Sequence, residues 1–146
     1  MKGFLADTNI PSELTRPNPD RRIVEYLQRI GENSVYMSVL TLGEIRKGVA
    51  SLPDGRRRRL LEDWIQDSLR PWFANRILPV TEEIVERWGV LAAEAKRCGT
   101  VLAVVDGLIA ATALEHDLTL LTRNVGDFSG TGVTIVNPWE SPLPDL

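Results

Sequence analysis

The chain has 146 residues, 43% of them hydrophobic and 25% charged, and its formal net charge is −3 at pH 7. This length suits one domain that buries roughly 70% of its unfolded surface, and the charge excludes a protein that attracts nucleic acid through a bulk positive field. No apolar run reaches the ~18 residues of a membrane span, no signal-peptide layout is present, and the single cysteine, Cys98, excludes an intramolecular disulfide. We therefore expect a cytoplasmic protein with a single domain over residues 1–146 and no membrane partner.

Short strand-like runs alternate with longer helical periods in the first half of the chain. The pattern there predicts a buried strand over 3–6, helices near 10–16 and 20–30, a strand over 35–39, a helix running to about Ala50 and a further helix over about 56–73. The turn Pro53-Asp54-Gly55 separates the last two helices.

The second half continues the alternation. It predicts a short strand over 77–80, a long helix capped by Thr81 and ended by Gly99, a helix from Asp106 to about His116, and strands over 118–121 and 133–136. Strands separated by helices indicate a parallel sheet with right-handed crossovers, and hence an α/β fold.

Four acidic residues stand at or near the ends of these predicted elements: Asp7, Glu44, Asp106 and Asp127. The carboxyl ends of neighbouring strands in an α/β sheet open into one crevice, so acids delivered there from distant segments would cluster. A divalent cation neutralises such a cluster. The pattern therefore points to metal-dependent phosphodiester chemistry.

Other catalytic systems lack their residues in this chain. The one histidine, His116, lies at a predicted helix end, where contact with the helix dipole is its ordinary role, and no serine or cysteine nucleophile is paired with it in the pattern. Clusters of Cys and His that would bind zinc are missing, as is a Gly-rich phosphate loop with its lysine. Carboxylates are the catalytic groups that remain.

Each acid also has a structural interpretation. Asp7 fits an Asx turn after a strand, and Glu44 fits a capping box with Thr41. Asp106 fits a helix N-cap or an acid of the first helical turn, and Asp127 fits a surface turn. Those interpretations leave the neighbours of the acids unexplained. Thr8, Asn9, Thr122 and Asn124 are short hydroxyl and amide side chains that are able to orient carboxylates, water or phosphate.

The chain resembles the PIN domain, and most closely the VapC/FitB-like toxins of prokaryotic type II toxin–antitoxin modules. The resemblance rests on Ala6-Asp7-Thr8-Asn9, Gly43-Glu44-Ile45, Asp106 with 108–113, and Leu121-Thr122-Arg123-Asn124 leading to Asp127-Phe128. It covers the whole chain in order, and it implies a three-layer α/β/α domain whose mainly parallel central sheet has about four to five strands.

The resemblance also implies a site and a reaction. Asp7, Glu44 and Asp106 become the core acids and Asp127 the fourth, a place that Asn124 could also take. We expect Asp7 and Asp106 to bind Mg²⁺ directly, with Mn²⁺ as a substitute, and Glu44 and Asp127 to act directly or through water. The implied activity is cleavage of single-stranded or loop RNA by a water that the cation activates.

The implied partners are RNA and a cognate VapB-like antitoxin. We expect toxin–antitoxin hetero-oligomers, a homodimer formed through the 81–98 helix, and an antitoxin groove between the helices at 10–30 and 40–73. The apolar residues proposed for that groove are Ile23, Leu27, Leu61, Ile65 and Trp72, of which about half are expected only to face the sheet.

Three alternatives stay open at this point. One is a PIN nuclease outside any toxin module that acts on other RNA or on DNA. Another is phosphate chemistry at Asp7 of the haloacid-dehalogenase or receiver kind, although Asn9 stands where such a site needs a second acid. The third is a binding module whose acids are structural. The run 56–59, all arginine, is either a local basic patch for nucleic acid or a solvated helix face.

Overall fold

The computed structural model describes residues 3–143; residues 1, 2 and 144–146 of the expected domain lie outside the described residues. Within that range five parallel strands form one sheet in the order β3-β2-β1-β4-β5. The strands are β1 (Phe4–Ala6), β2 (Val35–Ser38), β3 (Ile77–Leu78), β4 (Thr119–Leu121) and β5 (Ile135–Val136).

Helices connect the strands. They are α1 (Asn9–Leu14), α2 (Arg21–Ile30), α3 (Val39–Ala50), α4 (Arg56–Trp64), α5 (Arg70–Trp72), α6 (Glu82–Arg97) and α7 (Val104–Glu115). A π-helical turn, Ile65–Leu69, joins α4 to α5, and short 3₁₀ turns occupy Glu32–Ser34 and Val125–Phe128.

The two faces of the sheet carry separate apolar cores. Side chains alternate between the faces of a strand, so Ala6 and Leu121 pack with α1 to α5, whereas Leu5 and Leu120 pack with α6 and α7. Helices therefore cover both faces, and the prediction of a three-layer α/β/α domain with a parallel sheet of five strands is confirmed for the described residues.

Two predicted helix starts are wrong. Helix α3 begins at Val39 directly after β2, and its cap is Ser38, whose hydroxyl accepts a hydrogen bond from the Leu40 N–H at 3.0 Å. Thr41 is buried inside the helix, so it forms no capping box with Glu44. Helix α7 begins at Val104, which places Asp106 in the first turn rather than at the N-cap.

Other boundaries differ less. The predicted 56–73 helix contains the π-helical turn Ile65–Leu69, and the strands predicted over 77–80 and 133–136 shorten to two residues each. The long helix has its predicted ends, because the Thr81 hydroxyl accepts from the Ile84 N–H and Gly99 adopts a φ of 76°, which favours glycine. No helix within residues 3–143 is long and apolar enough to cross a membrane.

Candidate active site

Asp7 is fixed where β1 ends. The register pairs Ala6 with Leu121, and the Asp7 N–H continues the ladder by donating to the Leu121 carbonyl at 2.9 Å. The next residue of each strand is therefore a neighbour, and the Thr122 hydroxyl donates to Asp7 Oδ2 at 2.7 Å. The Thr8 N–H donates to Asp7 Oδ1 at 2.8 Å. Both oxygens of a carboxylate that is only 8% exposed are thus held in place.

Glu44 joins this arrangement from α3. Since α3 follows β2 without a loop, its second turn lies above the end of the sheet. The Thr8 hydroxyl donates to Glu44 Oε1 at 3.2 Å, so the residue after Asp7 contacts both acids. Glu44 itself is exposed.

Asp106 lies close enough to the other three acids to be affected by their charges. Burial, and then the negative charges of Asp127, Asp7 and Glu44 in that order, raise the pKa of the Asp106 carboxyl above its ordinary value. A carboxyl with a raised pKa is a carboxyl whose ionised form the surroundings disfavour. The four acids found in separate segments of the sequence therefore form one electrostatic cluster.

Of the two candidates for the fourth position, Asp127 is the one whose charge acts on Asp106. Asp127 lies in the turn after β4, and it lines a cavity of ≈ 590 Å³ together with Asp106. Asn124 does not line that cavity; its N–H donates to the Thr122 hydroxyl at 3.0 Å. Asn124 thus supports the residue that holds Asp7.

The sequence model of the PIN domain matches residues 4–131, a span that contains all four acids. The chain belongs to the PIN-domain family. It is 41% identical to Toxin FitB of Neisseria gonorrhoeae over 136 residues, which cover 93% of this chain and 98% of that protein. It is 36% identical to VapC ribonuclease Y4jK of Sinorhizobium fredii, over 94% of this chain and 98% of that protein.

The fold of this PIN domain has a matching solved structure. FitAcB from Neisseria gonorrhoeae superimposes with a TM-score of 0.88 at 40% identity, over 94% of this chain and 99% of that one. The predicted resemblance to PIN domains of the VapC/FitB kind is confirmed. Membership of this family sets aside the haloacid-dehalogenase or receiver interpretation of Asp7.

Asn9 ties two loops of the PIN site together. Its amide nitrogen donates to the Thr122 hydroxyl and its amide oxygen accepts from the Arg123 N–H, both at 3.4 Å. The Arg123 guanidinium lies 5.0 Å from the centre of the Trp139 ring, a cation–π distance. The loops after β1 and β4 are therefore connected by hydrogen bonds through Asn9, a connection that depends on the register of the two strands.

Gly107 sets the position of Asp106, and sequence analysis overlooked it. A Cβ at Gly107 would lie 2.7 Å from Cδ1 of Trp88, closer than real Cβ contacts, so the absence of a side chain lets α7 pack tightly on α6. Its signal in the sequence is a glycine beside an acid in a helix otherwise rich in alanine.

The donor groups of the PIN site fit a hard divalent cation. All four are carboxylates, and Mg²⁺ takes oxygen ligands, needing one or two carboxylates while it keeps several waters. Within residues 3–143, no group of three or more His, Cys, Asp or Glu side chains is arranged so that it would hold a metal ion. The fit therefore rests on the chemistry of the oxygen donors and on the crowding of negative charge at Asp106.

Proposed function

We propose that this PIN domain is a cytoplasmic, Mg²⁺-dependent endoribonuclease that serves as the toxin of a VapBC-type toxin–antitoxin pair. The observation that carries the proposal is the convergence of the four acids at one end of the sheet: Thr8 contacts both Asp7 and Glu44, Asp106 and Asp127 line one cavity, and burial and the other three charges raise the pKa of Asp106. Four carboxylates that repel one another lower the stability of the fold, and binding of a cation offsets that cost. The names of two relatives, a toxin and a ribonuclease, support the same assignment.

Asp7 and Asp106 are the proposed direct ligands of Mg²⁺, for which Mn²⁺ can substitute. Asp7 is held from both sides by the Thr8 N–H and the Thr122 hydroxyl, so its oxygens have a fixed direction. When bound, Mg²⁺ supplies Lewis acidity, which eases deprotonation of the attacking water and offsets charge that builds up on the phosphate.

Glu44 and Asp127 are proposed to act on the cation directly or through water. Each lies in a surface cavity beside the site, Glu44 with Thr8 and Asp127 with Asp106. Both carboxylates are exposed, so each can accept a proton from a water molecule at the site. Single-stranded RNA suits such an open site because its backbone can bend toward the acids.

A cognate VapB-like antitoxin is the proposed restraint, but the surface for it differs from the predicted groove. Ile23, Leu27 and Ile65 are buried in the core on the α1–α5 side of the sheet and expose little surface to a partner, although Leu27 and Ile65 each line a surface cavity. Leu61 and Trp72 are partly exposed. The predicted groove was too large because its helices turn those three side chains toward the sheet.

What remains of that groove is a small apolar cavity. It has a volume of ≈ 80 Å³, and its lining includes Leu14, Trp64 and Trp72. A hydrophobic side chain of an antitoxin could fill such a cavity. Co-expression with the product of the adjacent reading frame should yield a complex that cleaves RNA more slowly than the free chain; a complex of equal activity would reject the toxin role.

Helix α6 is the proposed homodimer contact. Val85 and Val90 on this helix are 44% and 57% exposed, so both are accessible to a second copy of the chain. A Val90→Glu variant should shift the sedimentation coefficient toward that of the monomer, whereas Val104→Glu on α7 should not.

Cleavage mapping on total RNA by the purified chain, with and without Mg²⁺, tests the enzymatic part of the proposal. We expect discrete cleavage positions in single-stranded regions with Mg²⁺ and intact RNA with EDTA. A parallel reaction with single-stranded DNA addresses the second candidate, a PIN nuclease outside a toxin module. Faster cleavage of DNA than of RNA would replace the ribonuclease assignment by that one.

A further inference from the structure

Two surface cavities reach the acid cluster from different sides. One, of ≈ 280 Å³, is lined by Thr8 and Glu44 and extends to Arg57 at the start of α4. The other, of ≈ 590 Å³, is lined by Asp106 and Asp127 and extends to Arg97 at the end of α6. Because α4 and α6 cover opposite faces of the sheet, the two cavities lead away from the acids in different directions.

Arg57 is placed where a positive charge is unfavourable for the helix. The first turn of α4 carries four arginines, no acid and no side-chain cap, although the N-terminus of a helix favours negative charge. Arg58 and Arg59 are offset by Glu62 at 3.6 Å and Asp54 at 3.9 Å. Among the described residues Arg57 has no ion pair or side-chain hydrogen bond, and it is the arginine of this run that lines the cavity.

Arg97, at the end of α6, is the corresponding arginine in the cavity that Asp106 and Asp127 line. It is exposed and makes no ion pair within the part of the chain that the structure describes. Its neighbour Lys96 is also exposed but does not line the cavity. A basic residue in the last turn stabilises a helix through the helix dipole, and both Lys96 and Arg97 lie in the last turn of α6. The two residues differ in that only Arg97 lines the cavity.

We propose that the RNA substrate crosses the acid cluster along a track of two arms, with Arg57 binding a phosphate on one side of the scissile bond and Arg97 binding one on the other. This inference rests on the proposed ribonuclease function. On a protein of net charge −3, arginines beside the four carboxylates add to the charge of the bound metal in attracting a polyanion.

The test measures RNA affinity against salt in a chain that cannot cleave. Single-stranded RNA with a fluorescent label is titrated with Asp106→Asn protein, and the same protein carries Arg57→Gln, Arg97→Gln or both. Each phosphate contact to a single strand contributes about 0.7 to the slope of log affinity against log salt. We therefore expect each substitution to reduce the slope by about 0.7, and the pair by about twice that. Arg56→Gln and Lys96→Gln, which remove the same charge from the same helices, are the matched controls and should leave the slope closer to that of the parent.

RNA cleavage by variants that keep Asp106 tests the roles of the two arginines separately from the ribonuclease activity itself. With RNA cleaved by the unaltered chain, Arg57→Gln and Arg97→Gln should raise KM severalfold more than their controls do while kcat changes little. Equal effects of Arg57→Gln and Arg56→Gln, or of Arg97→Gln and Lys96→Gln, would overturn the track and leave the ribonuclease standing. No cleavage by the unaltered chain with Mg²⁺ would overturn both. Urea unfolding of each variant shows whether an effect arises from stability, which Arg57→Gln should not lower.

Discussion

The Thr122 hydroxyl donates a hydrogen bond of 2.7 Å to Asp7 Oδ2, across 115 residues of sequence. It is also the acceptor for the Asn124 N–H and for the Asn9 amide. One buried hydroxyl thus connects the ends of β1 and β4 and fixes the direction of the Asp7 carboxylate. The Thr122 hydroxyl is the side-chain group that holds the Asp7 carboxylate, and the Thr8 backbone N–H holds its other oxygen.

Replacement of Thr122 by valine should reduce RNA cleavage by about 10- to 100-fold, the usual effect of removing a group that orients a metal ligand. Stability should fall by about 1 kcal/mol, since Asp7 and the Asn124 N–H each lose a partner. Thr112→Val is the control, because Thr112 is equally buried and its hydroxyl bonds the Leu108 carbonyl within α7. Initial rates and urea unfolding compare the two. Equal losses of activity would mean that the Asp7 contact has no special role.

Asp106→Asn should make the chain more stable at neutral pH. The folded protein raises the pKa of Asp106 above 3.8, so its ionised form destabilises the fold, and this penalty is present in full above the folded pKa. As the pH falls through the folded pKa toward 3.8, the carboxyl takes up a proton and the penalty disappears. Urea unfolding in EDTA at a series of pH values should show an advantage for Asp106→Asn that vanishes in acid. Asp63→Asn, at an exposed acid of α4, is the control; a lower stability of Asp106→Asn at neutral pH contradicts the account.

Glu44→Gln should abolish most cleavage and leave stability unchanged. The Thr8 hydroxyl can still donate to the amide oxygen of a glutamine, and helix α3 keeps its cap because Ser38 supplies it. Ser38→Ala is the matched stability variant, and it should lower the free energy of unfolding by about 0.5–2 kcal/mol. Glu44→Gln with full activity would return Glu44 to a surface role.

Gly107→Ala tests how closely α7 must approach α6. Its added methyl would overlap the Trp88 ring, which should lower stability by about 1–3 kcal/mol and shift Asp106 away from its partners. Gly89→Ala in α6 has no atom within 4 Å of the added methyl and should stabilise the helix by about 0.5–1 kcal/mol. Thermal unfolding should show a loss of stability for Gly107→Ala and a gain for Gly89→Ala, and RNA cleavage should fall only for Gly107→Ala. A Gly107→Ala protein that is both active and stable would rule out tight packing of α7 on α6 at this position.

The sequence predicted most elements because their apolar periodicity is strong. The strand at Phe4–Ala6 and the helix after Thr81 pack against distant segments, but their own residues carry the apolar pattern that predicts them. The ends of both elements were predicted to within two residues. The start of α3 was missed because Ser38 serves at once as the last residue of a strand and as a helix cap. The spacing of three residues between Thr41 and Glu44 matches a capping box, so it predicted a helix start about one turn after the true start.

The site was predictable as a set of residues but not as an arrangement. Acids at strand ends and their short polar neighbours are visible in the sequence, and the parallel sheet brings them to one edge. Which hydroxyl holds which carboxylate depends on the register of β1 with β4, which places Thr122 beside Asp7. No local pattern encodes that register, nor the contact of Gly107 with Trp88 that positions Asp106.

Cation-dependent cleavage of RNA by the four acids is the core of the proposed function. Its most direct test is the rate of cleavage of a single-stranded RNA as a function of Mg²⁺ concentration for the unaltered chain, Asp7→Asn and Asp63→Asn. We predict saturable activation by Mg²⁺ for the unaltered chain and for Asp63→Asn, and no cleavage above background for Asp7→Asn at any Mg²⁺ concentration, although that variant folds. Cleavage by Asp7→Asn at the rate of the unaltered chain, or a rate that does not depend on Mg²⁺, would contradict the account.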